Sequence, residues 1–144
     1  TPKCHSVASL YCLELLRPVI RFYRLPDYFF SMAKNVAVVI QEDPRKTHRP
    51  VEALRIALGL SAGSHVTTVV LLGEAARLLG DETDDILDIE ILEKYLPAIK
   101  QLEIPFIVPN IIDQVVIQDD FFVKRENNET IRSFVQSMDC TLVF

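Results

Sequence analysis

The fold is decided by the stretch VAVVIQEDPRKTHRPVEALRIALGL, which occupies residues 36–60. Residues 36–40 form a continuous apolar run rich in β-branched side chains, which is typical of a strand buried on both faces of a sheet. A polar loop follows, and Pro50 stands where a helix accepts proline in its first turn. We therefore expect a helix over residues 51–60. A strand, a polar loop and a helix in this order predict the opening of an α/β domain.

The same alternation of strands and helices continues to the end of the sequence. Further strands are predicted at residues 66–72, 106–108 and 141–144, and further helices at 74–79, 88–102 and 126–138. Pro97 should bend or split the helix that contains it, and residues 111–117 fit a strand or a helix equally. Because strands separated by helices need right-handed crossovers, the sequence predicts a three-layer α/β fold. We expect a mainly parallel sheet of about five strands with helices on both faces, flavodoxin-like or Rossmann-like.

Composition narrows the class of protein. The net charge of −5 argues against a general nucleic-acid binder, which needs a basic face, and no apolar run is long enough to predict a membrane span. The hydrophobic content of 49% favours a doubly buried sheet or a substantial subunit interface. The three cysteines, Cys4, Cys12 and Cys140, are too few and too widely spaced for a disulfide framework or a zinc site. Reduced thiols in a cytoplasm are the simplest interpretation, and we predict no cofactor and no metal.

Residues 1–33 differ in pattern from residues 34–144, and we interpret them as an N-terminal extension of the α/β domain. Leucine and isoleucine recur there at helical spacing with arginines between them, until Pro26 ends the pattern. Met32 directly precedes the first predicted strand. One interpretation is that Met32 is the natural start and that the earlier residues come from an over-extended gene prediction. The other is an amphipathic helix that packs on the domain or on a partner.

The polar loop after the first predicted strand is the first place to look for a site, because ligands of open parallel sheets bind at the carboxyl ends of the strands. Three cations and a histidine stand in this loop just before a helix N-terminus, where they could hold an anion. The loop lacks the glycines of a nucleotide-binding motif. We favour a solvated loop with a turn over a small-anion site, and contact with a partner subunit is a further alternative. The candidate ligand or interface residues are Asp43, Arg45, His48 and Arg49.

Histidine and cysteine offer the remaining chemistry. A histidine base needs a nucleophile and an orienting acid, and His48 has no evident serine or cysteine partner within the domain. His65 starts a strand at its amino end and is interpreted as structural. Cys140 precedes the last predicted strand, again at the amino end, so we expect a buried, inert thiol and keep it only as a candidate nucleophile. Asp119 and Asp120 are interpreted as a turn rather than a metal site.

Several segments together resemble a known family, the DsrE/DsrF/DsrH-like family of sulfur-relay proteins. They are the strand at residues 36–40, the loop with Asp43-Pro44, the helix EALRIALGL at 52–60, and residues 66–72 followed by Gly73-Glu74-Ala75. The resemblance covers about residues 35–110. It implies a flavodoxin-like parallel sheet and assembly into dimers, trimers or hexamers, with further copies of the chain or with related DsrE-like subunits.

The resemblance also carries an expectation about sulfur chemistry. Active members of the family hold persulfide sulfur on a cysteine after the middle strand, and the matching region here, Val108, Pro109 and Asn110, has none. Since the thiolate is the sulfur carrier, the resemblance implies a non-catalytic subunit or scaffold of a cytoplasmic assembly. The alternatives are a sulfurtransferase that uses Cys140 or an N-terminal cysteine, and a small-anion- or ligand-binding domain that uses the loop after the first strand.

Overall fold

The computed structural model describes residues 33–111 and 115–144, and the expectations for residues 1–32 and 112–114 lie outside the described residues. The strands are β1 (Asn35–Ile40), β2 (Val66–Leu71), β3 (Phe106–Pro109), β4 (Val123–Glu126) and β5 (Cys140–Val143). The helices are α1 (Arg49–Ala62), α2 (Ile89–Gln101) and α3 (Asn128–Gln136), and a 3-10 helix, Gly73–Leu79, follows β2. Within this part of the chain no helix is both long and apolar enough to cross a membrane.

The strands form a single sheet in the order β4-β3-β2-β1-β5, and every pairing is parallel. The predicted α/β class is therefore confirmed. Strand β1 lies between β2 and β5, with Val36 opposite Thr67 of β2 on one side and opposite Cys140 of β5 on the other. Its five apolar residues from Val36 to Ile40 are all buried, because β-branched side chains fill the space on both faces of the pleat.

The direction of the chain places helices on both faces of the sheet, as predicted. The steps from β1 to β2 and from β2 to β3 run the same way, so right-handed crossovers put α1 and α2 on one face. Leu54 of α1 and Leu92 of α2 are fully buried there. The connection from β4 to β5 runs back across the sheet, so α3 lies on the other face, where Ile131 packs against Ile107. Within the described residues, α3 is the only helix that covers this second face.

Pro97 does not divide helix α2, so the expectation that it could split this helix is wrong. The helix is continuous from Ile89 to Gln101 with Pro97 inside it. Proline removes one backbone donor from the helical ladder, but Leu92 and Ile99 on either side of it are both buried. The core therefore holds the two halves of the helix as a single element.

Two expectations for the second half of the chain are wrong. Residues 111–117 form neither a strand nor a helix where they are described, and Ile117 makes only an isolated antiparallel bridge with Gly80. Glu126 belongs to β4, where its carbonyl accepts the backbone N–H of Asn110 at 3.0 Å. The helix begins two residues later, because the Asn127 side chain accepts the backbone N–H of Thr130 at 2.7 Å and caps it.

The face between the sheet and α1 should dominate the stability of the domain. Replacing the fully buried Leu54 with alanine leaves a cavity, so we expect a loss of about 2–5 kcal/mol in the free energy of unfolding. The matched control is Leu102→Ala, because Leu102 is 45% exposed, and it should cost about 0.5 kcal/mol or less. Urea denaturation measures both variants. Equal losses in the two would contradict the assignment of Leu54 to the core.

Candidate functional site

The loops after β1 and β2 meet at the carboxyl edge of the sheet, because these two strands are parallel and adjacent. Arg45 binds Asp43 through two parallel contacts, Nε to Oδ1 at 3.0 Å and Nη2 to Oδ2 at 2.8 Å. Its Nη2 also donates to Glu74 at 3.3 Å, and Glu74 accepts from Arg77 at 2.5 Å. Gly73, at φ +57°, makes the turn that carries Glu74 to this position. Four charged side chains thus join the first loop to the 3-10 helix.

The bidentate contact governs the ionisation of Asp43. The Arg45 side chain, hydrogen-bonded to this carboxylate, lowers the pKa of Asp43 to about 2, although partial burial acts in the opposite direction. The Arg45 backbone N–H also donates to Asp43 Oδ1 at 2.9 Å and helps to hold the charged form. The same pair raises the pKa of Arg45. Both groups therefore stay charged at neutral pH and neutralise each other.

The other polar groups of this loop also face carboxylates. Arg49 donates to Glu42 at 2.5 Å, and the Thr47 hydroxyl donates to the other oxygen of Glu42 at 2.8 Å. His48 Nδ1 lies 2.5 Å from Asp88 Oδ2. A carboxylate accepts only, so Nδ1 is the donor in this contact. The four residues predicted as a ligand or interface group thus lie at one edge, and Arg45, His48 and Arg49 each already contact an acid.

Asp88 has an unusual backbone for its position. It stands at the N-cap of α2 with φ +63° in the left-handed region, and its side chain does not cap the helix. Aspartate tolerates this region better than most residues. The carboxylate is directed to His48 instead, and the neighbouring Leu87 N–H donates to the Pro44 carbonyl at 3.0 Å. These contacts fasten the first loop to the segment before α2, so the loop has a defined conformation.

A cleft of about 300 Å³ opens beside this network. Arg45 and Arg77 contribute its positive charge, and both already contact acids. Its remaining lining is mostly acidic: Glu82, Asp84, Asp85 and Ile86. An anion that entered the cleft would meet these carboxylates and would compete with the existing ion pairs. Within residues 33–111 and 115–144, no group of three or more histidine, cysteine or acidic side chains is placed to hold a metal ion.

The region predicted to match the family's cysteine position lies at the same edge. Val108 and Pro109 are the last residues of β3 and are buried, while Asn110 is exposed directly after them. The Asn110 N–H is occupied by the carbonyl of Glu126. Neither the end of β3 nor the loop after β1 contains a cysteine, so the described part of the carboxyl edge has no thiol.

Cys140 lies at the opposite edge. It is the first residue of β5 and pairs with Val36 near the start of β1, so its predicted place at the amino end is correct. The expectation of a buried thiol is wrong, because Cys140 is exposed. The physical reason is that β5 is the last strand of the sheet on its side, with no described strand beyond it. His65 also lies at the amino edge, where its Nδ1 accepts the backbone N–H of Lys34 at 3.2 Å.

Sequence reasoning missed a larger cavity of about 530 Å³ on the face covered by α3. Its walls are largely apolar and come from β3, from α3 and from β4, a strand that the sequence analysis did not predict. The principal side chains are Ile107, Phe122, Ile131 and Phe134. The adjacent phenylalanines at 121 and 122 were the available signal. Phe121 belongs to the buried cluster on the face covered by α1 and α2, where its ring meets that of Phe106 edge to face with 5.9 Å between the ring centroids. Phe122 remains 58% exposed.

The Asp43–Arg45 pair should make stability depend on pH. A carboxyl whose pKa is lowered by folding stabilises the folded state above its unfolded pKa, and this contribution is lost as the pH falls toward the folded pKa. For Asp43 the window runs from about pH 5 down to about pH 2. We expect the wild type to lose about 1 kcal/mol more over this window than Asp43→Asn, a value reduced by solvent around Arg45.

The measurement is chemical denaturation of both proteins at intervals across the window. Asp119→Asn is the matched control, because Asp119 is an exposed acid in a turn away from the network, and it should follow the wild type. If Asp43→Asn and the wild type showed parallel curves, the ion pair would not contribute to stability.

Comparisons with known proteins support the fold. No protein-family model matches this chain, and no curated protein sequence matches it either. Among solved structures, the crystal structure of the ychN protein from E. coli superposes with a TM-score of 0.63 at 14% sequence identity. The match covers 77% of this chain and 99% of that one. At this identity the similarity concerns the fold alone, and the chain accordingly shares with that protein an α/β fold, built here on a five-stranded parallel sheet.

Proposed function

We propose that this protein is a non-catalytic DsrE-like subunit or scaffold of a protein assembly linked to sulfur relay. The observation that carries the proposal is the chemistry of the carboxyl edge, where a parallel sheet binds its ligands. Within the described residues this edge contains no thiol, and its arginines are paired with acids. A sulfur carrier needs a thiolate as nucleophile. An edge without one is suited to binding a partner rather than to transferring sulfur.

The region of Val108, Pro109 and Asn110 is central to this proposal. We take it as the position at which active family members carry their cysteine. Two of the three side chains are buried at the end of β3, and Asn110, the exposed one, is an amide with no nucleophilic character at neutral pH. On this alignment the chain assists an active partner or has lost sulfur transfer.

Assembly is supported by the surface as well as by the missing thiol. Phe122, Val143 and Val66 are each more than half exposed, and the mean hydropathy of the chain is +0.21. Large exposed apolar side chains are typical of surfaces that bind other proteins. The proposed partners are further copies of this chain or related DsrE-like subunits. The odd number and wide spacing of the three cysteines, which do not suit a disulfide framework, support a cytoplasmic location.

A sulfurtransferase that uses Cys140 is the second candidate, and the exposure of this thiol favours it. An exposed cysteine can react with a persulfide donor, but its reactivity rises when a neighbouring cation or helix N-terminus stabilises the thiolate. The nearest charged residue in sequence is Asp139, an acid rather than a cation. Cys140 is thus accessible, but its sequence neighbour does not activate it.

A small-anion site in the first loop is the third candidate. An anion would have to displace Asp43 from Arg45 or Glu42 from Arg49, and each displacement leaves a carboxylate without its partner. Titration calorimetry with phosphate and sulfite tests this candidate. We expect no measurable heat from either, whereas saturable heat that Arg45→Gln abolishes would favour the anion site.

Self-assembly is tested by size-exclusion chromatography with light scattering on the full chain. We expect a mass of at least twice that of one chain. If the protein is monomeric alone, co-purification with related DsrE-like subunits is the second arm. A strictly monomeric protein that recovers none of these subunits would contradict the proposal.

Sulfur transfer is tested by loading the protein with polysulfide and measuring thiocyanate after addition of cyanide. The comparison is between the wild type, Cys140→Ser and a variant with all three cysteines changed to serine. We expect the same rate as the buffer control in all three, within about twofold. A wild-type rate at least tenfold higher, lost in Cys140→Ser, would instead support the sulfurtransferase.

A further inference from the structure

The two outer strands of the sheet differ in how strongly their side chains discourage pairing with another chain. Strand β4 carries the three consecutive charged residues Lys124, Arg125 and Glu126. Strand β5 and the residue after it, CTLVF at residues 140–144, carry no charge. Charged side chains on an edge strand discourage pairing with another chain, and an uncharged edge leaves that pairing open. The β5 edge is therefore the place where this sheet can be extended.

Within residues 33–111 and 115–144, no strand pairs with the outer side of β5, where its backbone presents donors and acceptors. Phe144 directs both of its backbone groups to β1, since its N–H donates to Val39 at 2.8 Å and its carbonyl accepts from Gln41 at 2.7 Å. Backbone groups alternate in direction along a parallel strand. Leu142 therefore also faces β1, and Thr141 and Val143 direct their N–H and C=O groups outward. No described strand lies on that side.

We infer that β5 pairs antiparallel with β5 of a second copy of this chain, across a two-fold axis at Leu142. In this register Thr141 lies opposite Val143 of the second copy, and each pair exchanges both backbone hydrogen bonds. Leu142 lies opposite its own counterpart on the axis. The two sheets join into one continuous sheet. This inference rests on the proposed function, for which it supplies the interface.

A second copy fits this edge because the pairing is self-complementary. A two-fold interface uses the same patch on both subunits, and the outward groups of Thr141 and Val143 match each other when one strand is reversed. Val143 is 55% exposed in the single chain, and pairing places it beside the Thr141 of the second copy, a favourable neighbour for a β-branched residue. Strand β4 has no comparable surface, because it carries three consecutive charged side chains, which discourage pairing of an edge strand with another chain.

The register makes a specific prediction for cysteines. Cys140 lies opposite residue 144 of the second copy, so the two Cys140 residues are four residues out of register, about 13 Å along the strands. This separation is far beyond the roughly 7 Å that a disulfide can span. Leu142 and its counterpart form a non-hydrogen-bonded pair with Cα atoms about 4.5 Å apart, which a disulfide can join.

The first experiment places one cysteine on the proposed axis. Leu142→Cys is made in the full chain with Cys4, Cys12 and Cys140 changed to serine, and is oxidised under mild conditions. We expect most of the protein to form a disulfide-linked dimer. Val143→Cys in the same background is the matched control, because the two copies of residue 143 are two residues out of register and roughly 8 Å apart. It should link at least fivefold less.

The second experiment removes an outward donor without touching the sheet inside one chain. Val143→Pro deletes the N–H of Val143, and proline is accepted on an edge strand when its N–H side faces solvent. We expect the mass of the assembly measured by light scattering to fall at least twofold. Val143→Thr keeps the donor and the branched side chain, and it should keep the wild-type mass. Circular dichroism checks that both variants keep the fold.

The possible outcomes distinguish a failure of the β5 interface from a failure of the proposed self-assembly. Efficient linking of Leu142→Cys together with dissociation of Val143→Pro supports the β5 interface. If the wild type is oligomeric, but Leu142→Cys stays unlinked or links no better than Val143→Cys, the interface is wrong and the proposed assembly stands. A Val143→Pro variant that keeps the wild-type mass also overturns it. If the wild type is monomeric, the two-copy interface and self-assembly fail together.

Discussion

The position of β1 between β2 and β5 is the constraint on which the rest of this domain depends. All five apolar residues of β1 from Val36 to Ile40 are buried, and both of its edges are paired in parallel. A strand in that environment needs side chains that fill both faces. Helix α1 follows at once and packs on one face of the sheet, and the reversal of direction before β5 brings α3 to the other. The buried side chains under α1 and α2 and those under α3 therefore form two apolar clusters, one on each face of this strand and its neighbours.

The same arrangement determines what the carboxyl edge can do. Parallel strands bring the loop after β1 beside the 3-10 helix, so Arg45 meets both Asp43 and Glu74. These contacts use the positive charge that a bound anion would need. Asp88 is held in a left-handed conformation and directed to His48. The edge is therefore a pre-organised surface of paired charges, and a partner that binds it needs matching polar groups rather than a strong net charge.

Sequence patterns predicted the elements whose apolar residues form a continuous or periodic run. They missed β4, whose residues show no such pattern. Strands β1 and β2 and helix α1 followed from continuous apolar runs and from Pro50. Strand β4 was missed because an edge strand reading VKRE has only one apolar residue and therefore lacks the alternation of a half-buried strand.

Site chemistry was only partly predictable, for a related reason. The cations of the first loop were visible in the sequence, but their acidic partners come from distant positions such as Glu74 and Asp88. The exposure of Cys140 could not be read from the residues around it in sequence, because it depends on β5 being the outermost described strand on its side of the sheet.

The pairing of β1 with β5 also bears on how the chain folds as it is made. The backbone N–H of Asn35 is bound by the side chain of Asp139, a separation of 104 residues. During synthesis, β1 and β2 leave the ribosome well before β5, the strand that completes the pairing of β1. Until then one edge of the most apolar strand is open to other nascent chains or to chaperones. Closure of a loop of this length is slow compared with local folding, so the pairing of β5 with β1 is expected to be a late step in the folding of this domain.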